Sequence, residues 1–134
     1  MKKKNIIKFH IMFNEYESSG KHMICDFKGI QNTDLLNSCD DLNLLLKQIC
    51  IENEFQVLNE ILYKFEPIGC SIILLLSESH ISIHTFPEKN HMSFDIYTCR
   101  QYTDDTVYKS IYGVLLDKLK ASDNSVVKIL DRYF

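Results

Sequence analysis

Two periodicities alternate along this chain, and they restrict its fold more than any other feature. Residues 92–99, MSFDIYTC, alternate between apolar and polar side chains, the period of a strand with one buried face. Residues 104–120, DDTVYKSIYGVLLDKLK, instead place Val107, Ile111, Val114, Leu115 and Leu119 on one helical stripe, with Asp104 or Asp105 available as cap. A second helical pattern, CDDLNLLLKQICIEN, carries Leu42, Leu45, Leu46 and Ile49 at the same spacing. It follows Gly29 and the cap candidates Asn32, Thr33 and Asp34. Residues 21–28, 70–77, 79–85 and the closing SVVKILDRYF read as extended segments. FQVLNEILYKF, residues 55–65, reads as a strand with a helix as the alternative, and residues 5–13 as a strand or an ordered arm. Strands and helices thus intermix. The expected fold is α+β: a two-layer α/β sandwich, mainly antiparallel sheet with helices packed on one face.

Composition narrows the function classes. At 134 residues the chain fits one domain with a substantial core, and no linker or repeat divides it. A net charge of −3 gives no reason to expect nucleic acid or an acidic membrane as partner. No apolar window approaches the ~20 residues of a bilayer span. The apolar segment Ile6–Phe13 lacks a cleavage site and is not read as a signal peptide. Cys25, Cys39, Cys50, Cys70 and Cys99 are odd in number and irregularly spaced, with no CxxC pair. That pattern fits reduced thiols in the cytoplasm rather than a disulfide framework, and no metal site is expected.

One stretch departs from this ordinary picture. The apolar run Ile72–Leu76 stops at Ser77, Glu78, Ser79 and His80, and Ser82, His84 and Thr85 follow. Phe65 and Phe86 flank these hydroxyls and imidazoles, and Cys99 ends a later strand. Taken alone, a serine and a histidine in a strand fit solvent exposure as readily as catalysis. An isolated cysteine at a strand end fits core packing.

The motifs change that balance together. SESHISIHTFPE resembles the signature of the pyruvoyl-dependent S-adenosylmethionine decarboxylases in their short prokaryotic form. GKH at Gly20–His22 with DFKG after it, YKFEPIGCS at Tyr63–Ser71, and FDIYTC at Phe94–Cys99 resemble further segments of that family in matching order. The resemblance covers roughly residues 18–130. It implies a chain that makes its own cofactor, a covalent pyruvoyl group derived from Ser79. Ser79 would attack the carbonyl of Glu78, and elimination would split the chain into a β chain, 1–78, and an α chain, 79–134. Such a ketone serves as electron sink for a decarboxylating carbon.

The resemblance also assigns roles. His84 matches the histidine of processing, and an ordinary imidazole can act as base near neutral pH. Ser71 matches a serine that assists processing. Cys99 matches the proton donor to the decarboxylated carbon, and an ordinary thiol is protonated at pH 7. Phe65 and Phe86 match the aromatic residues of the nucleoside site, with phenylalanine at 86 where relatives often have tryptophan. Glu88 matches the glutamate that accepts hydrogen bonds from the ribose diol. The implied substrate is S-adenosylmethionine, the product an aminopropyl donor for spermidine synthesis, and the implied assembly a homodimer of processed protomers with sites near the subunit interface. KNHMSFD, Ile30 and the segment before Gly20 depart from the usual pattern. A decarboxylase of ornithine or arginine on the same fold, or an unprocessed regulatory paralogue, are the alternatives.

Overall fold

The computed structural model describes residues 17–134, and the segment expected at 5–13 lies outside them. Strand β1 (Ser18–Phe27) leads to a short helix α1 (Thr33–Leu36) and the longer α2 (Cys39–Glu52). Strands β2 (Val57–Lys64), β3 (Cys70–Leu76), β4 (Ser79–Phe86) and β5 (His91–Thr98) follow. Helix α3 (Thr106–Leu119) and strand β6 (Val126–Tyr133) complete the chain. The six strands form one antiparallel sheet in the order β2-β3-β4-β5-β1-β6. This is the α+β two-layer architecture expected from the alternating periodicities, and the segment 55–65 resolves as a strand.

Local chemistry sets the helix starts. Asn32 Oδ1 accepts from Leu35 N at 3.2 Å, and Ser38 Oγ accepts from Asp41 N at 3.2 Å, each satisfying a donor that helix geometry leaves free. Asp104 accepts from Thr106 N at 2.9 Å at the start of α3. The core lies between the helices and one face of the sheet. Leu42, Leu46, Ile49, Ile111, Leu115 and Leu119 pack there with Met23, Phe27, Leu74, Ile81, Ile83 and Ile96, all essentially without solvent contact. The α3 stripe differs from expectation in that Val107 and Val114 are half-buried against the core. Tyr108, rather than Val107 or Val114, is fully buried, because its hydroxyl pairs with Thr98 Oγ1 at 2.6 Å and so loses no hydrogen bond on leaving water.

Among the described residues, no helix lies over the other face of the sheet. Strand register defines its transverse rows. Ile61, Ile73, Ser82, Asp95, Ile24 and Lys128 form one row across all six strands. Ile61, Ile73 and Leu75 are exposed at 65%, 44% and 51%, an apolar surface on the β2–β3 side of this open face.

Candidate active site

The first cluster forms around the β3–β4 hairpin. Leu76 stands opposite Ser79, leaving Ser77 and Glu78 as a two-residue turn. Such turns normally take positive φ within the loop, hence their preference for Asn-Gly. Here the positive φ falls on Ser79, at +143°, a conformation that costs an L-residue on the order of 1–3 kcal/mol. The Glu78 carbonyl beside it accepts the Cys99 backbone N–H at 2.9 Å. The Glu78 side chain is also fixed, accepting Gln56 N–H at 2.9 Å and the Ser77 hydroxyl at 2.6 Å. Burial pushes that carboxyl up, but the Ser77 and Gln56 hydrogen bonds and the nearby Arg100 outweigh it and hold it below its usual range. A polarised carbonyl thus adjoins a strained residue that carries a hydroxyl.

Cys99 completes this cluster. It is exposed, whereas Cys25, Cys39, Cys50 and Cys70 are buried. Burial pushes the Cys25 thiol up to about 12 and Cys50 to about 11; burial, then the neighbouring Cys70, raise Cys39 to about 12. Gly20 makes the placement of Cys99 possible. At φ +113°, a Cβ there would lie 1.8 Å from Thr98 O and 2.8 Å from Cys99 Cα, so only glycine lets β1 run against this peptide.

A second cluster occupies the far end of β4. Ser71 and His84 are cross-strand partners, with Ser71 Oγ 2.7 Å from His84 Nδ1. Phe65, just beyond β2, donates its N–H to Gly69 O at 2.8 Å and packs 4.8 Å from the Tyr63 ring. Phe86 ends β4, its ring 5.8 Å from that of His91. Glu88 lies exposed in the 3-10 turn Pro87–Lys89 that follows. Phe65 and Phe86 are about half exposed.

Within one chain these two clusters stay apart. Ser79 and His84 sit five positions apart on one strand, roughly 16 Å at the rise of an extended chain. A base must come within ~2.6–3.2 Å of the proton it takes, or reach it through one water. The structure therefore brings Glu78, Ser79 and Cys99 together, and Ser71 with His84, but not the first group with the second.

A polar network that the sequence reading did not single out lies between them on the open face. His22 Nε2 is 2.6 Å and His80 Nε2 2.9 Å from Asp95 Oδ2, while the Ser82 hydroxyl donates to Asp95 Oδ1. Burial raises the Asp95 carboxyl, but the bonds from Ser82, His80 and His22 win and hold it below its usual range. His22, His80 and Asp95 are the one group of metal-ligand type found among the described residues. Their hydrogen bonding argues against that use. Arg132 donates to His22 Nδ1 at 3.0 Å, and because a guanidinium only donates, Nε2 must carry the proton and donate to Asp95. The sequence signal for this network was the alternation of SHISIH and FDIY, which aims His80, Ser82 and Asp95 at one face.

Comparison with known proteins identifies the family and the fold. Residues 21–132 match the S-adenosylmethionine decarboxylase family. The S-adenosylmethionine decarboxylase proenzyme of a Hydrogenobaculum species is 39% identical, over 81% of this chain and 84% of its own. That of Thermococcus onnurineus is 31% identical over 84% and 77%. The crystal structure of the adenosylmethionine decarboxylase from Aquifex aeolicus superposes with a TM-score of 0.76 at 25% identity, covering 88% of this chain and 93% of the other.

Proposed function

The chain belongs to the S-adenosylmethionine decarboxylase family, and from that premise we propose that it is a self-processing decarboxylase. It converts S-adenosylmethionine to the decarboxylated aminopropyl donor of spermidine synthesis. The observation that carries this reading is the Glu78 carbonyl, held by the Cys99 N–H at 2.9 Å next to Ser79 at φ +143°. An N–H aimed at a carbonyl stabilises the negative charge that attack places on its oxygen. The strain at Ser79 favours any step that releases it.

In processing, Ser79 Oγ attacks the Glu78 carbonyl carbon. The Oγ–C bond forms, the C–N bond breaks, and the hydroxyl proton ends on the freed amine. Removal of the Ser79 Cα proton then breaks the Cβ–Oγ bond, releasing Glu78 as a carboxylate and leaving dehydroalanine. Proton transfer and hydrolysis consume water and release ammonia. The products are a β chain, 1–78, and an α chain that starts with a pyruvoyl group at position 79. That group, once formed, supplies an electron sink for the substrate α-carbon. Cys99, exposed beside the same turn, delivers the proton to the carbon that has lost carbon dioxide. Phe65 and Phe86 offer π faces to the adenine and the sulfonium, and Glu88 accepts from the ribose hydroxyls.

The distance between the two clusters supports a site completed by a second copy. In a twofold homodimer joined through the open sheet faces, the partner's His84 and Ser71 meet Glu78 and Ser79 of the first protomer, and the reverse holds by symmetry. His84 then removes the Cα proton across the interface. The exposed Ile61, Ile73 and Leu75 are the apolar surface such a dimer would cover. Buried unpaired thiols suit a cytoplasmic setting, and among the described residues no helix is long and apolar enough to cross a membrane.

Intact mass spectrometry tests this reading. The expected result is two masses, split between Glu78 and Ser79, and one full-length mass for Ser79→Ala. A wild-type chain that stays whole after long incubation would sink it.

A further inference from the structure

We propose that Arg100 is a positioning residue for self-cleavage: it locks the Glu78 side chain and so keeps the Glu78 carbonyl aimed at the Cys99 N–H. The proposal rests on the self-cleavage reading above. Arg100 directly follows Cys99, and its guanidinium is held from three sides. One nitrogen donates to Asn53 O at 2.8 Å and the other to Glu54 O. The plane lies over the Phe55 ring, 4.8 Å from its centroid. The guanidinium also donates to Tyr102 Oη at 3.4 Å, and its charge partner is Glu78 Oε2, at 3.4 Å.

Asn53 is the C-cap of α2, so Arg100 occupies the helix end where carbonyls lack intrahelical partners and a cation is favoured. The residue therefore transmits the position of a rigid helix to one carboxylate. That carboxylate is the side chain of the residue whose peptide bond is to break.

The geometry gives this contact a purpose. Neither Ser77 nor Glu78 takes positive φ, and Ser79 carries the strain of the tight turn instead. Rotation of the Glu78–Ser79 peptide would relieve that strain, and it would also withdraw the carbonyl from the Cys99 N–H. Glu78 is held at two points that oppose this rotation. Its carbonyl is bonded to Cys99 N–H. Its side chain accepts from Gln56 N–H and the Ser77 hydroxyl and forms an ion pair with Arg100 at 3.4 Å. Arg100 is the only member of this set that ties the carboxylate to α2. Lysine cannot replace it fully, because a single ammonium lacks the planar fork that serves Asn53, Glu54 and Glu78 together.

The test is a double-mutant cycle on the half-time of cleavage, followed by intact mass in freshly refolded full-length chain, with melting temperature read in parallel. Arg100→Gln is expected to slow cleavage at least tenfold with little change in melting temperature, and Arg100→Lys to restore part of the rate. If Arg100 acts through the Glu78 carboxylate, Arg100→Gln combined with Glu78→Gln is no slower than the slower single variant. Wild-type speed in Arg100→Gln overturns the proposal. So does slowing that adds in full to that of Glu78→Gln, or that tracks a fall in melting temperature and is not relieved by lysine. A wild-type chain that never cleaves overturns the self-cleavage reading itself, a distinct result.

Discussion

The Ser79 end of β4 fixes its reactive groups through main-chain bonds: Cys99 N–H on the Glu78 carbonyl, Gln56 N–H on the Glu78 carboxylate, and a glycine at position 20 that lets β1 approach. The His84 end uses side chains. A serine hydroxyl meets an imidazole, and two half-exposed rings and an exposed glutamate stand around them. One end is closed and strained, the other open. In the proposed dimer, the difference is what an attacking group and its helper need when they come from separate chains. The bond to be broken must be held rigidly by its own fold, while the base must be presented outward for another molecule.

The sharpest way to break that comparison is to put the two ends on different polypeptides. Ser79→Ala and His84→Ala are each expected to remain whole when expressed alone. Expressed together, they form heterodimers with one complete composite site, and the His84→Ala chain alone should split into 1–78 and 79–134. If mass spectrometry finds heterodimers in which that chain stays intact, the two ends do not cooperate across an interface. A smaller effect separates the roles within the closed end. Cys99→Ala keeps the backbone N–H, so cleavage should continue, while turnover falls by roughly 10²–10⁴, the usual contribution of a positioned proton donor. Cleavage lost together with turnover would count against a separate side-chain role. The smallest effect probes the open end. Glu88→Gln should leave cleavage intact and lower kcat/KM for S-adenosylmethionine by roughly 10–100-fold, the worth of hydrogen bonds to a charged group. Unchanged kinetics would remove Glu88 from the nucleoside site.

Much of the fold was legible in the chain because burial imposes its period on the residues. The alternation of MSFDIYTC and the stripe through Ile111, Leu115 and Leu119 mark β5 and α3 directly. Tyr108 was not legible as a core residue, because its burial depends on a hydroxyl partner, Thr98, on another element. At the site, the motifs point to Ser79, His84 and Cys99. Strand arithmetic already separates the first two, since five steps of extended chain cannot bring a base to its proton. The pairing of Ser71 with His84 needed the β3–β4 register. Arg100 left no pattern at all, because two of its partners are backbone carbonyls, of Asn53 and Glu54, and any residue type supplies those.

The backbone angle at Ser79 also decides when the chemistry can begin. That angle belongs to the finished hairpin, in which Ser79 is paired with Leu76 on one side and Thr98 on the other. An unfolded or half-folded chain has no reason to adopt it. In the proposed processing, cleavage is therefore timed by folding, and each cut chain would be a record that its sheet was completed. The conversion also runs one way. In the proposed product the carbon at position 79 is a planar ketone, no longer a chiral L-residue, so the steric penalty of a positive φ no longer applies to it. The stress that assists the cut has no counterpart in the product to drive rejoining.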